Sequence, residues 1–133
     1  MQFRSIKISE RVHIAIRFLA FLAKNKNNRP QSSGEFTIKE NISFYFLQQI
    51  NRPLKKQGLI KSKLGNWGGY QLAKPANKIT LKEIIEVVEG PISLINCANY
   101  KCPNAQCGQK NAWQKINKEI EKIFSRTKLT DLI

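Results

Sequence analysis

The stretch from Ser32 to Gly58 constrains this chain most, because it accommodates two helices joined by almost nothing. Ser32-Ser33-Gly34-Glu35 has the composition of a helix start, and a short helix follows to about Lys39. Glu40-Asn41-Ile42 leaves only a tight connection before Ser43, a good N-cap for a helix running from Phe44. A short helix, a turn of about three or four residues and a second helix have helix-turn-helix spacing. Pro53 falls late in the second helix. It lacks a backbone donor and crowds the Gln49 carbonyl, at a cost of about 3 kcal/mol in a helix interior. The helix is therefore expected to kink there, or to end near Asn51 and restart. Gly58 is a natural stop.

The flanking sequence supplies the rest of a small domain. Val12, Ala15, Ile16, Leu19, Leu22 and Ala23 repeat at helical spacing, which predicts a helix from about Ser9 to Lys24. Asn25 to Pro30 is a polar break. Leu59 to Leu64 and Gly69 to Ala73 are strand-like and enclose a glycine-rich tip, Gly65-Asn66-Trp67-Gly68. A hairpin placed after a helix-turn-helix is a wing. Thr80 and Glu83 then form a capping box, with Ile79 and Ile84 as a hydrophobic staple. Gly90-Pro91 ends that helix. A last helix is expected from about Lys110 to Arg126, where Trp113, Ile116, Ile120 and Ile123 form a narrow apolar seam. A narrow seam on a long terminal helix suits pairing with a second subunit; the alternative is packing on its own domain. The expected fold is mainly α with a small β-hairpin. Residues 1–90 form a winged helix-turn-helix domain, 91–109 a cysteine loop, and 110–133 a dimerisation helix and tail.

Charge narrows the partner. Lys and Arg number 23 against 9 Asp and Glu in 133 residues, a formal net charge of +14. That imbalance points to a polyanion, nucleic acid before an anionic membrane. The apolar run Ile14 to Ala23 is interrupted by Arg17 and is too short to span a bilayer. No export signal is visible, so the expected location is cytoplasmic, with reduced thiols and no disulfide framework. Phosphate loops, carboxylate pairs and Ser-His-Asp sets are missing, and the single His lies far from every Cys in sequence. An enzyme is not expected.

All the cysteines lie in one segment, Cys97, Cys102 and Cys107, spaced Cys-x4-Cys-x4-Cys. Clustered thiols in a reducing compartment favour metal or cluster binding. Zinc prefers Cys-x2-Cys pairs, and none is present. Lys101 and Lys110 place positive charge beside the thiolates.

The order of elements and several local strings resemble the IscR/NsrR family of bacterial winged-helix transcription regulators. The strings are Ser33-Gly34-Glu35-Phe36, Ile42-Ser43, Phe46-Leu47-Gln48-Gln49-Ile50, Leu54 to Ser62, Gly68-Gly69-Tyr70-Gln71-Leu72-Ala73, Ile79-Thr80-Leu81, Val88-Glu89-Gly90-Pro91 and Leu129-Thr130-Asp131-Leu132. The resemblance covers almost the whole chain. It implies that the three cysteines hold an iron–sulfur cluster, with 4Fe–4S favoured slightly over 2Fe–2S, and that cluster state controls DNA binding. Family members often add a non-cysteine ligand from the first helix of the partner subunit. That position falls on His13, with Glu10 in reserve; the alternative is an ordinary surface or core histidine.

The resemblance also implies a recognition helix in the major groove, with Ser43, Tyr45, Gln48 and Gln49 at base edges. A Gln amide matches adenine N6 and N7. Arg52, Lys55, Lys56, Lys61 and Lys63 are phosphate candidates, and Asn66 and Trp67 are wing-tip candidates. Each lysine taken alone is equally an ordinary solvated charge. The wing departs from the family, since Leu64 stands where an arginine is common. The chain therefore reads as a dimeric repressor on a double-stranded operator with two half-sites. It would sense nitric oxide, redox stress or iron–sulfur supply. The alternative is a winged-helix regulator that senses through thiol oxidation or zinc.

Overall fold

A computed structural model describes residues 8–25, 27–63, 69–94 and 107–133. The elements are α1 (Glu10–Ala23), α2 (Ser33–Glu40), α3 (Phe44–Lys56), β1 (Ile60–Lys63), β2 (Gly69–Leu72), α4 (Leu81–Glu89) and α5 (Lys110–Arg126). Short 3-10 turns cover Ala76–Lys78 and Leu129–Leu132.

Local chemistry starts each helix of the domain. Ser9, Ser32, Ser43 and Thr80 sit in extended backbone and accept from Val12, Gly34, Phe46 and Glu83 amides respectively. The box at α4 is half formed. Thr80 Oγ1 accepts from the Glu83 amide at 3.1 Å, while the Glu83 carboxylate turns to Lys74 at 2.5 Å. Ile79 and Ile84 are both fully buried in one cluster, as a staple requires. The turn between α2 and α3 rests on Asn41, at φ 53° and ψ 49°. The Ile42 amide donates back to Thr37 O at 3.1 Å, which closes the helix end in the Schellman manner.

Helix α3 neither ends at Asn51 nor restarts; it runs through Pro53 to Lys56. The missing donor costs one ladder bond near the end of the helix. Leu47, Ile50 and Leu54 are fully buried along it and hold the helix against the core. Asn51 lies on the same inner side, 1% exposed, and its amide meets no partner among the described residues. Gly58, at φ 79°, then reverses the chain into β1.

Strands β1 and β2 are antiparallel, with Ile60 opposite Leu72 and Lys63 opposite Gly69. A third stretch joins them. Gln31 and Tyr70 exchange amide-to-carbonyl bonds of 2.8 and 2.9 Å. This pairing brings the Gln31 carbonyl so close to Gly69 that a side chain there would collide with backbone.

The main core is built from α1, α2, α3 and the wing, with Phe18, Leu19, Leu22, Phe36, Leu47, Ile50, Leu54, Leu59 and Ile60 buried. Phe18 packs edge-on against Phe36 and Tyr70, with ring centroids 5.1 and 5.9 Å away. Leu129, beyond α5, is fully buried in this core. Its amide donates to Ile79 O at 2.8 Å, and Leu81 donates to Thr127 O at 2.8 Å. A second cluster joins Val12, Ile85 and Ile92 with Ile120 and Phe124 of α5. No helix among the described residues is long and apolar enough to cross a membrane.

Candidate DNA-reading face and cysteine segment

The inner side of α3 faces the core, which turns its other residues outward. Ser43 caps the helix, its Oγ accepting from Phe46 N at 3.0 Å. Tyr45 is 72% exposed and Gln49 is exposed beside it. Gln48 is half-buried, and the Tyr70 hydroxyl donates to its Oε1 at 3.3 Å. Arg52, Lys55 and Lys56 continue the exposed side toward the helix end. Lys61 and Lys63 are exposed on β1 with Ser62 half-buried between them, the alternation that places both lysines on one side of the strand. These residues place polar side chains at the start of α3, and cations toward its end and on β1. Leu64, Asn66 and Trp67 lie outside the described residues.

Two further apolar residues of the helix-turn-helix are exposed. Phe44 is 58% exposed at the start of α3, and Ile38 is 83% exposed on α2. The sequence signals Ile38, which stands two residues from the buried Phe36, but not Phe44, which keeps the three-residue spacing to Leu47 and Ile50. Tyr70 carries no such signal; in sequence it is only one residue of a wing string.

The described residues on either side of 95–106 are hydrogen-bonded to α5. Asn117, buried on α5, donates through Nδ2 to Ile92 O at 3.0 Å and accepts at Oδ1 from Leu94 N at 3.2 Å. The same Nδ2 reaches Glu121 Oε1 at 3.1 Å. At the other end, Cys107 is half-buried, and its carbonyl accepts from Lys110 N at 3.4 Å, at the first turn of α5. Cys97, Cys102 and Lys101 lie outside the described residues. His13 is exposed on α1, as is Glu10. Among the described residues no three His, Cys, Asp or Glu side chains converge as a metal site. Three cysteine sulfurs are the soft donor type that iron–sulfur ligation requires.

The apolar seam of α5 divides. Ile120 is half-buried against Val12, Ile85 and Ile92 of its own chain, together with Phe124. Trp113 is half-buried, with Nε1 donating to Gln109 Oε1 at 3.3 Å. Ile116 and Ile123 remain 44% and 56% exposed. One part of the seam therefore serves the chain's own core and the other faces outward. A cleft of about 330 Å³ lies where α1, the end of α4 and α5 meet, lined by Val12, Ile92, Leu94, Ile120 and Phe124 among others.

The profile of the Rrf2 family, described as an iron-dependent transcriptional regulator, matches residues 8–133. The chain belongs to the Rrf2 family. Its relatives include the HTH-type transcriptional regulator CymR of Bacillus subtilis, 32% identical over 127 residues, 96% of this chain and 89% of that protein. The HTH-type transcriptional regulator IscR of Cereibacter sphaeroides is 28% identical over 117 residues, 84% of this chain and 76% of that one. The solved structure of CymR, the global cysteine regulator of B. subtilis, superposes with a TM-score of 0.80 at 30% identity, covering 96% of both chains. Staphylococcus aureus CymR in its oxidised form gives 0.76 at 28% identity, covering 96% of this chain and 95% of that one. This Rrf2 protein is thus a winged-helix, DNA-binding transcription regulator and not an enzyme.

Proposed function

We propose that this Rrf2 protein is a homodimeric repressor of two-half-site operators, and that the segment from Cys97 to Cys107 sets its operator affinity. The observation that carries this reading is that the chain before that segment, at Ile92 and Leu94, is hydrogen-bonded to Asn117 of α5, while Cys107 at its far end is hydrogen-bonded to Lys110 in the first turn of α5. The exposed Ile116 and Ile123 support α5 as the dimer helix. A change at the thiols would then move α5 against the domain, and with it the spacing of the two copies of α3. Ser43, Tyr45, Gln48 and Gln49 read bases, and Arg52, Lys55, Lys56, Lys61 and Lys63 neutralise phosphates. Asn66 and Trp67 extend the interface from the wing. The three domain segments keep the bounds 1–90, 91–109 and 110–133, and the protein acts in the cytoplasm, where its DNA lies.

Cys97, Cys102 and Cys107 would hold an iron–sulfur cluster, 4Fe–4S before 2Fe–2S, with the partner's exposed His13 as the fourth ligand. When bound, the cluster supplies chemistry sensitive to nitric oxide, oxidants and iron–sulfur supply. The family's iron-dependent description and the similarity to IscR support it. A second reading, thiol oxidation without a cluster, is favoured by the likeness to an oxidised CymR structure. Zinc is weaker, because the spacing lacks a Cys-x2-Cys pair.

Protein purified without oxygen, with a Cys102→Ser control, decides between them. Visible absorption with matched iron and sulfide, lost in the control, is the expected result. A colourless, iron-free protein after reconstitution, whose DNA affinity falls on thiol oxidation, would establish the second reading instead.

A further inference from the structure

The half-buried hydrogen bond between wing and recognition helix has a consequence for which base is read. Tyr70 is held from three sides. Its backbone is paired to Gln31 in both directions, at 2.8 and 2.9 Å. Its ring packs edge-on against the fully buried Phe18, centroids 5.9 Å apart. Its hydroxyl donates to Gln48 Oε1 at 3.3 Å. A glutamine amide carries an acceptor and a donor at opposite corners of one plane. With Oε1 turned to the wing, Nε2 is the corner left for the groove. Adenine presents N7 as acceptor and N6 as donor, so reading it takes both corners of the amide. Guanine presents two acceptors, O6 and N7, and takes donors alone.

We propose that Tyr70 is a positioning residue for base readout: it holds the Gln48 amide with its donors outward and so selects guanine over adenine at the base Gln48 meets. Gln49, exposed and outside this hydrogen bond, keeps the ordinary amide preference for adenine. The inference rests on the reading that α3 enters the major groove.

The test is selection from a randomised double-stranded DNA library by the full-length protein, by Tyr70→Phe and by Gln48→Ala. All three are purified identically, and their melting temperatures and salt dependence are measured alongside. In the unchanged protein, one position of the selected motif is guanine, and Gln48→Ala erases that preference. Tyr70→Phe keeps the ring, the fold and the salt dependence, but admits adenine at that position, with discrimination falling roughly fivefold or more, the worth of a good bidentate pair. A Tyr70→Phe protein that retains full discrimination overturns the proposal, as does an adenine at the Gln48 position of the unchanged protein. A lowered melting temperature with preference lost equally at every position would make Tyr70 merely structural. If Gln48→Ala alters no position, the groove reading of α3 fails, and the role of Tyr70 fails with it.

Discussion

Asn41 carries the whole turn of the helix-turn-helix on a left-handed backbone. Asparagine tolerates that conformation better than other residues with a side chain, and glycine tolerates it best. Asn41→Ala is expected to cost about 1 kcal/mol, and Asn41→Gly to change stability far less. Urea unfolding of both variants, at unchanged m, checks this. At this scale the sequence is legible wherever a residue acts on near neighbours. Ser43 and Thr80 cap the helices their positions predict. Glu83 shows the limit. Its spacing to Thr80 fits a capping box, but Lys74 arrives through the fold and takes the carboxylate. An ion pair formed by tertiary approach leaves no mark in a four-residue pattern.

Among the elements, helix α3 shows packing outweighing propensity. Pro53 removes one bond, whereas the buried Leu47, Ile50 and Leu54 bind the helix to the core over its whole length. The wing likewise depends on a strand that alternation does not reveal, because a single residue, Gln31, provides it. Gly69 opens the second strand of the wing, and sequence alone gives no reason for a glycine there. The reason is the Gln31 carbonyl beside it. On α5, Asn117 holds residues 92–94 by both corners of its amide. Asn117→Ala is expected to lower stability by about 2 kcal/mol, the worth of the missing bonds and of the partners left unpaired. It should also accelerate hydrogen exchange at the Leu94 amide, while Gln48 and its neighbours exchange as before. Unchanged exchange at Leu94 would mean that other interactions hold the segment.

At the scale of the whole molecule, the divided seam of α5 makes a specific demand on assembly. Ile116 and Ile123 contribute little to the single chain, so Ile116→Glu with Ile123→Glu should leave the fold intact. Sedimentation velocity should then show a monomer, and affinity for a two-half-site duplex should fall at least about tenfold, since each half-site is held alone. A variant that still sediments as a dimer would move the interface elsewhere. The salt dependence of binding belongs here too. Neutralising one of Lys55, Lys56, Lys61 or Lys63 should reduce the slope of log affinity against log salt by about one for each phosphate that the side chain had neutralised. What the sequence by itself determined was everything written in short-range pattern: helix starts and stops, the hairpin, the basic charge, the cysteine spacing and the family strings. Only the tertiary structure decided that Ile120 faces inward and Ile116 outward, that Leu129 returns to the core, and that Tyr70 meets Gln48. Periodicity and capping act between residues a few positions apart. Those decisions pair residues far apart in the chain, and they follow from which surfaces meet once the hydrophobic faces are buried.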